Sequence, residues 1–312
     1  MSASILDLVF AVLHWPVHAV IYLETIRRAR LRRRIDTWTQ PPHWFLRPLA
    51  CLFLTILPVK YQTVASKTHL AQDRLLFVVN HQALALELPS VLLTIYLATG
   101  RLPRGIMDRI HPKIPLWADL LVFFGGIEGD VGSVSAAMRR SQPLVVFPGG
   151  HHEVYRKKAD PRYSLYWRNR SGFARLAVEH GYGIVPVSGI GISDMLETAA
   201  DIPFPNLILR HVLRDDRDPM TVPLCYPKSY ETQYMRFGNI IPTGHLSGES
   251  NNGDEVWKIR EQARNDVLSG LNVMIEYRRS DAQDRAAAHG LWQRIKDLCH
   301  GNNQAFVRTI VA

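Results

Sequence analysis

The chain has 312 residues, of which 47% are hydrophobic and 21% are charged, and its net charge is +9. This composition is that of a globular protein and argues against disorder over most of the chain, and the length suits one large domain or a core with an appendage. The basic balance favours an anionic partner such as a phospholipid surface, a phosphorylated small molecule or nucleic acid. Nucleic acid is the weakest of these, because the sequence holds no zinc-finger spacing, aromatic-rich RNA-binding signature or helix-turn-helix pattern.

The three cysteines, Cys51, Cys225 and Cys299, lie far apart in the sequence. They form neither a C-x-x-C pair nor the closely spaced set of a disulfide framework. We therefore expect a reducing compartment and structural roles for all three.

The N-terminal part of the chain holds two apolar segments. The first, at residues 4–26, carries Asp7 and Pro16 and lacks the basic start and cleavage site of a signal peptide. The second, at residues 44–59, is interrupted by Arg47. A membrane-spanning helix needs about 20 consecutive apolar residues, so we expect both segments to lie in or dip into one leaflet.

Between these segments, residues 27–34 hold six arginines in eight positions. Apolar stretches on both sides favour a membrane-surface anchor in which the arginines contact anionic headgroups. We predict membrane-associated helices at residues 1–66 and an α/β domain at 67–312, with the active site facing the cytoplasm. If either apolar segment does span, the positive-inside rule puts the arginines on the cytoplasmic side. The alternatives are a solvated helix face for the arginines and ordinary core helices for the apolar segments.

From residue 74 onward, short apolar runs typical of buried strands alternate with helical segments. The predicted strands lie at residues 74–79, 104–108, 143–146 and 183–189. The predicted helices lie at residues 88–99, 114–124, 131–142 and 171–180. This alternation indicates an α/β fold with a mixed, largely parallel sheet flanked by helices.

Beyond Asp201 the alternation loosens. Residues 221–230 and 235–241 have the pattern of edge strands, and residues 255–279 have that of a long amphipathic helix. No internal repeat or low-complexity segment is present.

Three predicted strand ends carry polar or glycine-rich sequences, at Asn80–His81, at 148–150 and at 186–189. Ligands of open α/β sheets bind outside the carboxyl ends of the strands, so these positions predict the site. A histidine there can act as a general base if a carboxylate orients it, and Glu87 is the nearest acid after His81. No G-x-S-x-G nucleophile is present, so the base would act on a substrate hydroxyl. The alternative is a structural histidine.

The stretch VVFPGGHHEVYR places two glycines directly after a strand. Glycines allow close approach of the backbone to a ligand and expose N–H groups, although a tight turn would explain them equally well. A third stretch, WRNRSGFARLAVEHGYGIVPVSG, leads from arginines through a helix to a Val-Pro strand.

In this order, the motifs resemble the glycerolipid acyltransferase superfamily over roughly residues 75–193. That family carries H-x-x-x-x-D after a strand, then a glycine-containing block, F-P-x-G and a late V-P strand. The resemblance is closest to the diacylglycerol acyltransferase-like transmembrane branch, where five residues separate the His from the acid and the third motif reads P-G-G-x-x-E. This chain has HQALALE and PGGHHE at the corresponding places.

The resemblance implies acyl transfer from a thioester, acyl-CoA or acyl carrier protein, to a hydroxyl group, without metal or further cofactor. It implies that His81 is the general base, that Glu87 orients it, and that backbone N–H groups near Gly149 and Gly150 hold the acceptor or the oxyanion. We expect the substrate-binding residues to be Asn80, Pro148, Gly149, Gly150, Glu153 and Arg170.

Two positions depart from the family pattern. The acid is Glu87 where the branch usually has Asp, and position 86, which a four-residue spacing would use, is Leu86. Phosphate-acceptor enzymes of the family read F-P-E-G-T-R, whereas this chain has Gly149 and His152 at the Glu and Arg positions. We therefore expect a neutral acceptor such as diacylglycerol, monoacylglycerol or a long-chain alcohol.

Three alternatives stay open. The first is a lysophospholipid (1-acylglycerol-3-phosphate) acyltransferase, in which the phosphate contacts would come from Arg139, Arg140, Arg156 or Arg170. The second is a lipid-binding relative without activity, and the third is a thioesterase-like hydrolase in which water replaces the acceptor.

Overall fold

The structure, a computed structural model, describes residues 22–64, 67–203, 221–246, 248–281 and 307–309. The helices in these residues are α1 (helical over residues 22–36), α2 (His43–Ile56), α3 (Lys67–Leu70), α4 (Leu88–Thr99), α5 (Trp117–Phe123), α6 (Val131–Arg139), α7 (His151–Val154), α8 (Gly172–His180), α9 (Ile192–Met195) and α10 (Gly253–Ser280). The strands are β1 (Val59–Thr63), β2 (Leu75–Val79), β3 (Arg104–Met107), β4 (Ile127–Glu128), β5 (Leu144–Val146), β6 (Gly183–Ile190), β7 (Leu196–Pro203), β8 (Thr221–Pro227), β9 (Gln233–Phe237) and β10 (Val307–Thr309).

Eight of these strands form one sheet in the order β10-β1-β9-β6-β2-β5-β3-β4. Every neighbouring pair runs parallel except β6 and β9, which are antiparallel. The predicted α/β class and the mixed, largely parallel sheet are therefore confirmed. The four strands and four helices predicted between residues 74 and 189 are all present, with ends shifted by a few residues.

The sheet is buried on both faces, as the unbroken apolar sequence of β2 indicates. Leu76 and Val78 point into one hydrophobic cluster, which α5, α6, α8 and α10 cover. Phe77 and Val79 point into the other, which α2 and α4 cover. These two helical layers fix the position of β2, the strand that leads into the predicted site.

Of the two strands predicted at sheet edges, one lies inside the sheet, so that prediction is wrong. The strand predicted at 235–241 is β9, which lies inside the sheet between β1 and β6. It is not an edge strand because β1, predicted only as the end of an apolar segment, pairs with it from Val59 to Thr63. The strand predicted at 221–230 is β8, which pairs with the unpredicted β7 in a separate two-stranded antiparallel sheet.

The helix predicted at residues 44–59 is α2. Its side chains Leu46, Ala50 and Leu54 are fully buried in the core, as the core-helix alternative expects. Most of the apolar segment at 4–26 lies outside the described residues. Within the part of the chain that the structure describes, no helix combines the length and hydrophobicity that crossing a bilayer requires. The membrane-associated character of this region and the division at residue 66 stay predictions.

The arginine block lies on α1, which packs on the domain through the buried side chains Leu31 and Ile35. Arg34 forms an ion pair with Asp119 of α5, and Arg27 donates a hydrogen bond to the carbonyl of Pro112. The other arginines of the block are largely exposed. One face of α1 is thus attached to the α/β domain, and its other face exposes arginines of the block to solvent.

Candidate active site

The carboxyl ends of β2, β5 and β6 meet at one edge of the sheet, because the three strands are parallel neighbours. Asn80, directly after β2, donates from its side-chain amide to the carbonyl of Gly189 at 2.9 Å and accepts from the N–H of Gly189 at 2.8 Å. Asn80 is buried, and both ends of its amide are engaged within the protein. It fastens the end of β2 to β6 immediately before His81.

His81 and Glu87 are in contact, as the sequence predicts. Nδ1 of His81 lies 2.6 Å from Oε1 of Glu87. The Glu87 side chain is 1% exposed and that of His81 is 11% exposed. A carboxylate can only accept a hydrogen bond, so Nδ1 carries the proton and Nε2 is left as the basic atom. The pair has the arrangement of an oriented general base.

The connection between the two residues is a tight turn with unusual backbone angles. Leu84 and Ala85 adopt the left-handed conformation, with φ of +56° and +57°. Ser193 holds the turn, because its hydroxyl accepts from the N–H of Ala83 at 3.1 Å and its own N–H donates to the side chain of Gln82 at 3.3 Å. This turn folds the chain back so that the longer glutamate side chain reaches the imidazole.

Phe147, the residue after β5, stacks against the imidazole of His81. The ring centroids are 4.2 Å apart and the planes differ by 17°. The stacked ring opposes rotation of the imidazole out of its plane. Phe147 is not among the predicted site residues, although an aromatic residue directly after a strand that ends at the site is a recognisable signal.

Glu153 of α7 contacts the backbone of His81. Its Oε2 accepts from the backbone N–H of His81 at 2.8 Å, and its Oε1 accepts from the N–H of Tyr166 at 2.8 Å. The side chain is fully buried, and this burial raises the pKa of the carboxyl group while the two backbone hydrogen bonds oppose the shift. Both oxygens are therefore engaged within the protein, an arrangement that the expected substrate contact did not anticipate.

Each glycine of the Pro148–Gly149–Gly150 loop makes room for a charged side chain. A Cβ atom on Gly149 would lie 1.9 Å from the carboxyl carbon of Glu153. A Cβ atom on Gly150, whose φ is +52°, would lie 2.5 Å from Nη1 of Arg170, which donates to the carbonyl of Pro148 at 2.6 Å. The N–H of Gly150 donates to the carbonyl of Phe147 at 3.1 Å, so it closes the turn.

Three of the four arginines considered for phosphate binding donate hydrogen bonds to backbone carbonyls. Arg156 donates to the carbonyl of Pro161 at 2.9 Å, and burial lowers the pKa of its guanidinium group. Arg140 donates to the carbonyl of Asp36 at 2.8 Å. Arg170 donates to the carbonyl of Pro148, and Arg139 is exposed on α6.

The described residues contain no group of three or more His, Cys, Asp or Glu side chains arranged to hold a metal ion.

No profile of a known protein family matches the chain. Phytyl ester synthase 2 of Arabidopsis thaliana is 24% identical over 193 residues, which are 56% of this chain and 27% of that protein. The DGAT1/2-independent enzyme synthesizing storage lipids of Mus musculus is 29% identical over 112 residues, which are 36% of this chain and 33% of that protein.

This chain therefore spans about a third or less of the length of the curated relatives it matches. Among solved structures, the 1-acyl-sn-glycerophosphate (LPA) acyltransferase PlsC of Thermotoga maritima aligns over 82% of this chain and 91% of its own, with a TM-score of 0.39 and 14% identity. The curated relatives confirm the resemblance of this chain to the glycerolipid acyltransferase superfamily.

Proposed function

We propose that this chain is a lipid O-acyltransferase, which transfers a fatty acyl group from acyl-CoA to the hydroxyl group of a neutral lipid or lipid alcohol. The observation that carries the proposal is the buried pair of His81 and Glu87, joined at 2.6 Å where three parallel strands end. The matched relatives, an ester synthase and an enzyme synthesizing storage lipids, support the same class of reaction.

In the proposed reaction, Nε2 of His81 removes the proton from the acceptor hydroxyl while Glu87 stabilises the charged imidazole. The acceptor oxygen attacks the carbonyl carbon of the thioester, and the tetrahedral intermediate then breaks its carbon–sulfur bond. The proton on Nε2 passes to the leaving thiolate, so that CoA leaves as the thiol and His81 returns to its neutral form. The N–H of Gly149 is our candidate for holding the oxyanion, since that of Gly150 is bonded to Phe147.

Two features support a neutral acceptor. Gly149 and His152 stand where the phosphate-acceptor enzymes of the resembled family carry Glu and Arg. Arg140, Arg156 and Arg170 donate to backbone carbonyls, which reduces their availability to a phosphate group. The names of the relatives, which specify phytyl esters and storage lipids, agree with a long-chain alcohol or diacylglycerol as acceptor.

The outer face of α2 supports association with a membrane. The inner face of this helix is buried in the core, yet its outer face presents large apolar side chains beside Arg47, with Trp44 77% exposed and Leu52 47% exposed. Large apolar side chains on the exposed face of a helix favour an apolar environment there, and a bilayer surface supplies one. We propose that the protein binds membrane lipids here, with the active site on the cytoplasmic side and acyl-CoA arriving from the aqueous phase.

The experiment that tests this function supplies the full chain, in phospholipid vesicles, with radiolabelled palmitoyl-CoA and separate acceptor lipids. We expect labelled ester with diacylglycerol, monoacylglycerol or a long-chain alcohol, and none with the His81→Ala variant. Labelled phosphatidic acid formed from a lysophospholipid would indicate a phosphorylated acceptor and not a neutral one. Free fatty acid released without acceptor would indicate a thioesterase, and lipid binding without turnover would indicate a relative that lacks activity.

A further inference from the structure

We propose that Glu153 is a positioning residue that sets the backbone of His81, and through it the direction of the imidazole. This inference rests on the proposed acyltransferase function, for which His81 is the general base. Glu153 takes this role in place of the substrate contact that its motif suggested.

The carboxylate of Glu153 joins three separate parts of the chain. One oxygen accepts the N–H of His81 at the end of β2, and the other accepts the N–H of Tyr166 in the loop before α8. The residue itself belongs to α7, which follows the Pro148–Gly149–Gly150 loop. A hydrogen bond between a carboxylate and a backbone N–H is short and directional, so the two bonds fix the His81 backbone relative to that loop.

The glycine at position 149 is explained by the same carboxylate. A Cβ atom at Gly149 would occupy the space of the Glu153 carboxyl carbon, at 1.9 Å. The neighbouring N–H of Gly150 already bonds to Phe147, which stacks on His81. His81 is thus held at two places, its imidazole by the Phe147 ring and its backbone N–H by the Glu153 carboxylate.

Direct contact between Glu153 and a substrate does not fit this geometry. The side chain is fully buried, and each of its oxygens accepts a backbone N–H. Its effect on the reaction must therefore pass through His81. A displacement of a catalytic group by about 1 Å can lower turnover by about a hundredfold, so loss of this anchor is expected to act mainly on kcat.

The test compares Glu153→Gln, Glu153→Asp and Gly149→Ala with the control Glu276→Gln, which makes the same change at an exposed position of α10. In glutamine an NH2 group replaces one of the two carboxylate oxygens. Because NH2 cannot accept a hydrogen bond, one of the two backbone N–H donors loses its acceptor. We expect Glu153→Gln and Gly149→Ala to lower kcat by about ten- to a hundredfold with little change in KM for palmitoyl-CoA. Glu153→Asp, which keeps the charge, is expected to lose less than Glu153→Gln.

A second readout does not depend on turnover. NMR of protein labelled with ¹⁵N-histidine detects the Nδ1–H group of His81, and the signal is assigned by its loss in His81→Ala. The signal should be present in the wild type and in Glu276→Gln. It should exchange with water faster or disappear in Glu153→Gln and, less completely, in Glu153→Asp, which serves as the test if the glutamine variant does not fold.

An unchanged His81 signal together with unchanged kcat would overturn the proposal, and so would a loss confined to KM, since that would indicate a substrate contact. If the wild type transfers no acyl group, the proposed function fails, and the His81 signal alone then decides the role of Glu153.

Discussion

His81 and Glu87 are separated by five residues, yet Nδ1 of the histidine lies 2.6 Å from Oε1 of the glutamate. The contact depends on Leu84 and Ala85, whose positive φ angles tighten the turn between them. Replacement of the family's usual aspartate by glutamate is therefore compatible with a formed pair.

His81→Ala removes the proposed general base. Because general-base catalysis contributes about a hundredfold or more, we expect turnover of palmitoyl-CoA with a neutral acceptor to fall by at least that factor. The matched control is His245→Ala, an exposed histidine in the turn at Gly244–Leu246. The initial rate of ester formation is measured for both variants. Unchanged activity in His81→Ala would refute the assignment of His81 as the general base.

Glu87→Ala leaves the buried Nδ1–H of His81 without its acceptor. We expect a loss of about a hundredfold in kcat, because the charged imidazole is no longer stabilised. Glu87→Asp keeps the charge but withdraws it by one methylene, so its loss should be smaller. Equal losses in the two variants would mean that the carboxylate must occupy one particular place, and steady-state kinetics distinguish these outcomes.

Ala85→Gly tests the strained turn. A non-glycine residue in the left-handed region is less stable by about 1–2 kcal/mol, whereas glycine loses about 0.5–1 kcal/mol through its greater freedom in the unfolded chain. We expect the free energy of unfolding to stay equal or to rise by up to about 1.5 kcal/mol. The control Ala136→Gly, inside α6, should lower it by about 1 kcal/mol. Urea unfolding measures both, and equal destabilisation would argue against the strained turn.

Burial raises the pKa of Glu153 above its ordinary value of 4.5. The folded protein therefore binds this proton more tightly than the unfolded chain does, and the resulting stabilisation is fully present below pH 4.5. It is lost as pH rises through the raised pKa of the folded state.

We expect the unfolding free energy of the wild type, relative to that of Glu153→Gln, to decrease across this pH window. Urea unfolding of both proteins in steps from pH 4 to pH 8, about one unit apart, measures the difference. A difference that is constant with pH, or one that increases, would contradict the prediction.

Leu52→Asp tests the outer face of α2 as a lipid-binding surface. Transfer of a leucine side chain from water to an apolar phase is worth about 1.5–3 kcal/mol, so we expect the affinity for vesicles to fall by about tenfold or more. The control is Val273→Asp, an exposed apolar position on α10 in the opposite helical layer. Co-sedimentation with phosphatidylcholine–phosphatidylserine vesicles gives the affinities. Equal binding by all three proteins would place the lipid-binding surface elsewhere.

Local signals were sufficient for the central elements. The apolar run of β2 and the helix α4, which ends at Gly100, follow from residue patterns within about a dozen positions. The pair of His81 and Glu87 could also be predicted, because both residues lie in one short segment after a strand. The places of β1, β9 and the paired strands β7 and β8 could not, since strand pairing joins segments that are distant in the sequence.

The sequence by itself determined the α/β class, the histidine and its acid, and the glycine pair, because each depends on neighbours along the chain. Only the tertiary structure decided what surrounds the histidine. It placed Phe147 on the imidazole, Asn80 on Gly189, and the Glu153 carboxylate on the His81 N–H. The physical reason is that buried polar groups take whichever partner the packed strand ends bring within about 3 Å, and sequence spacing does not encode that partner.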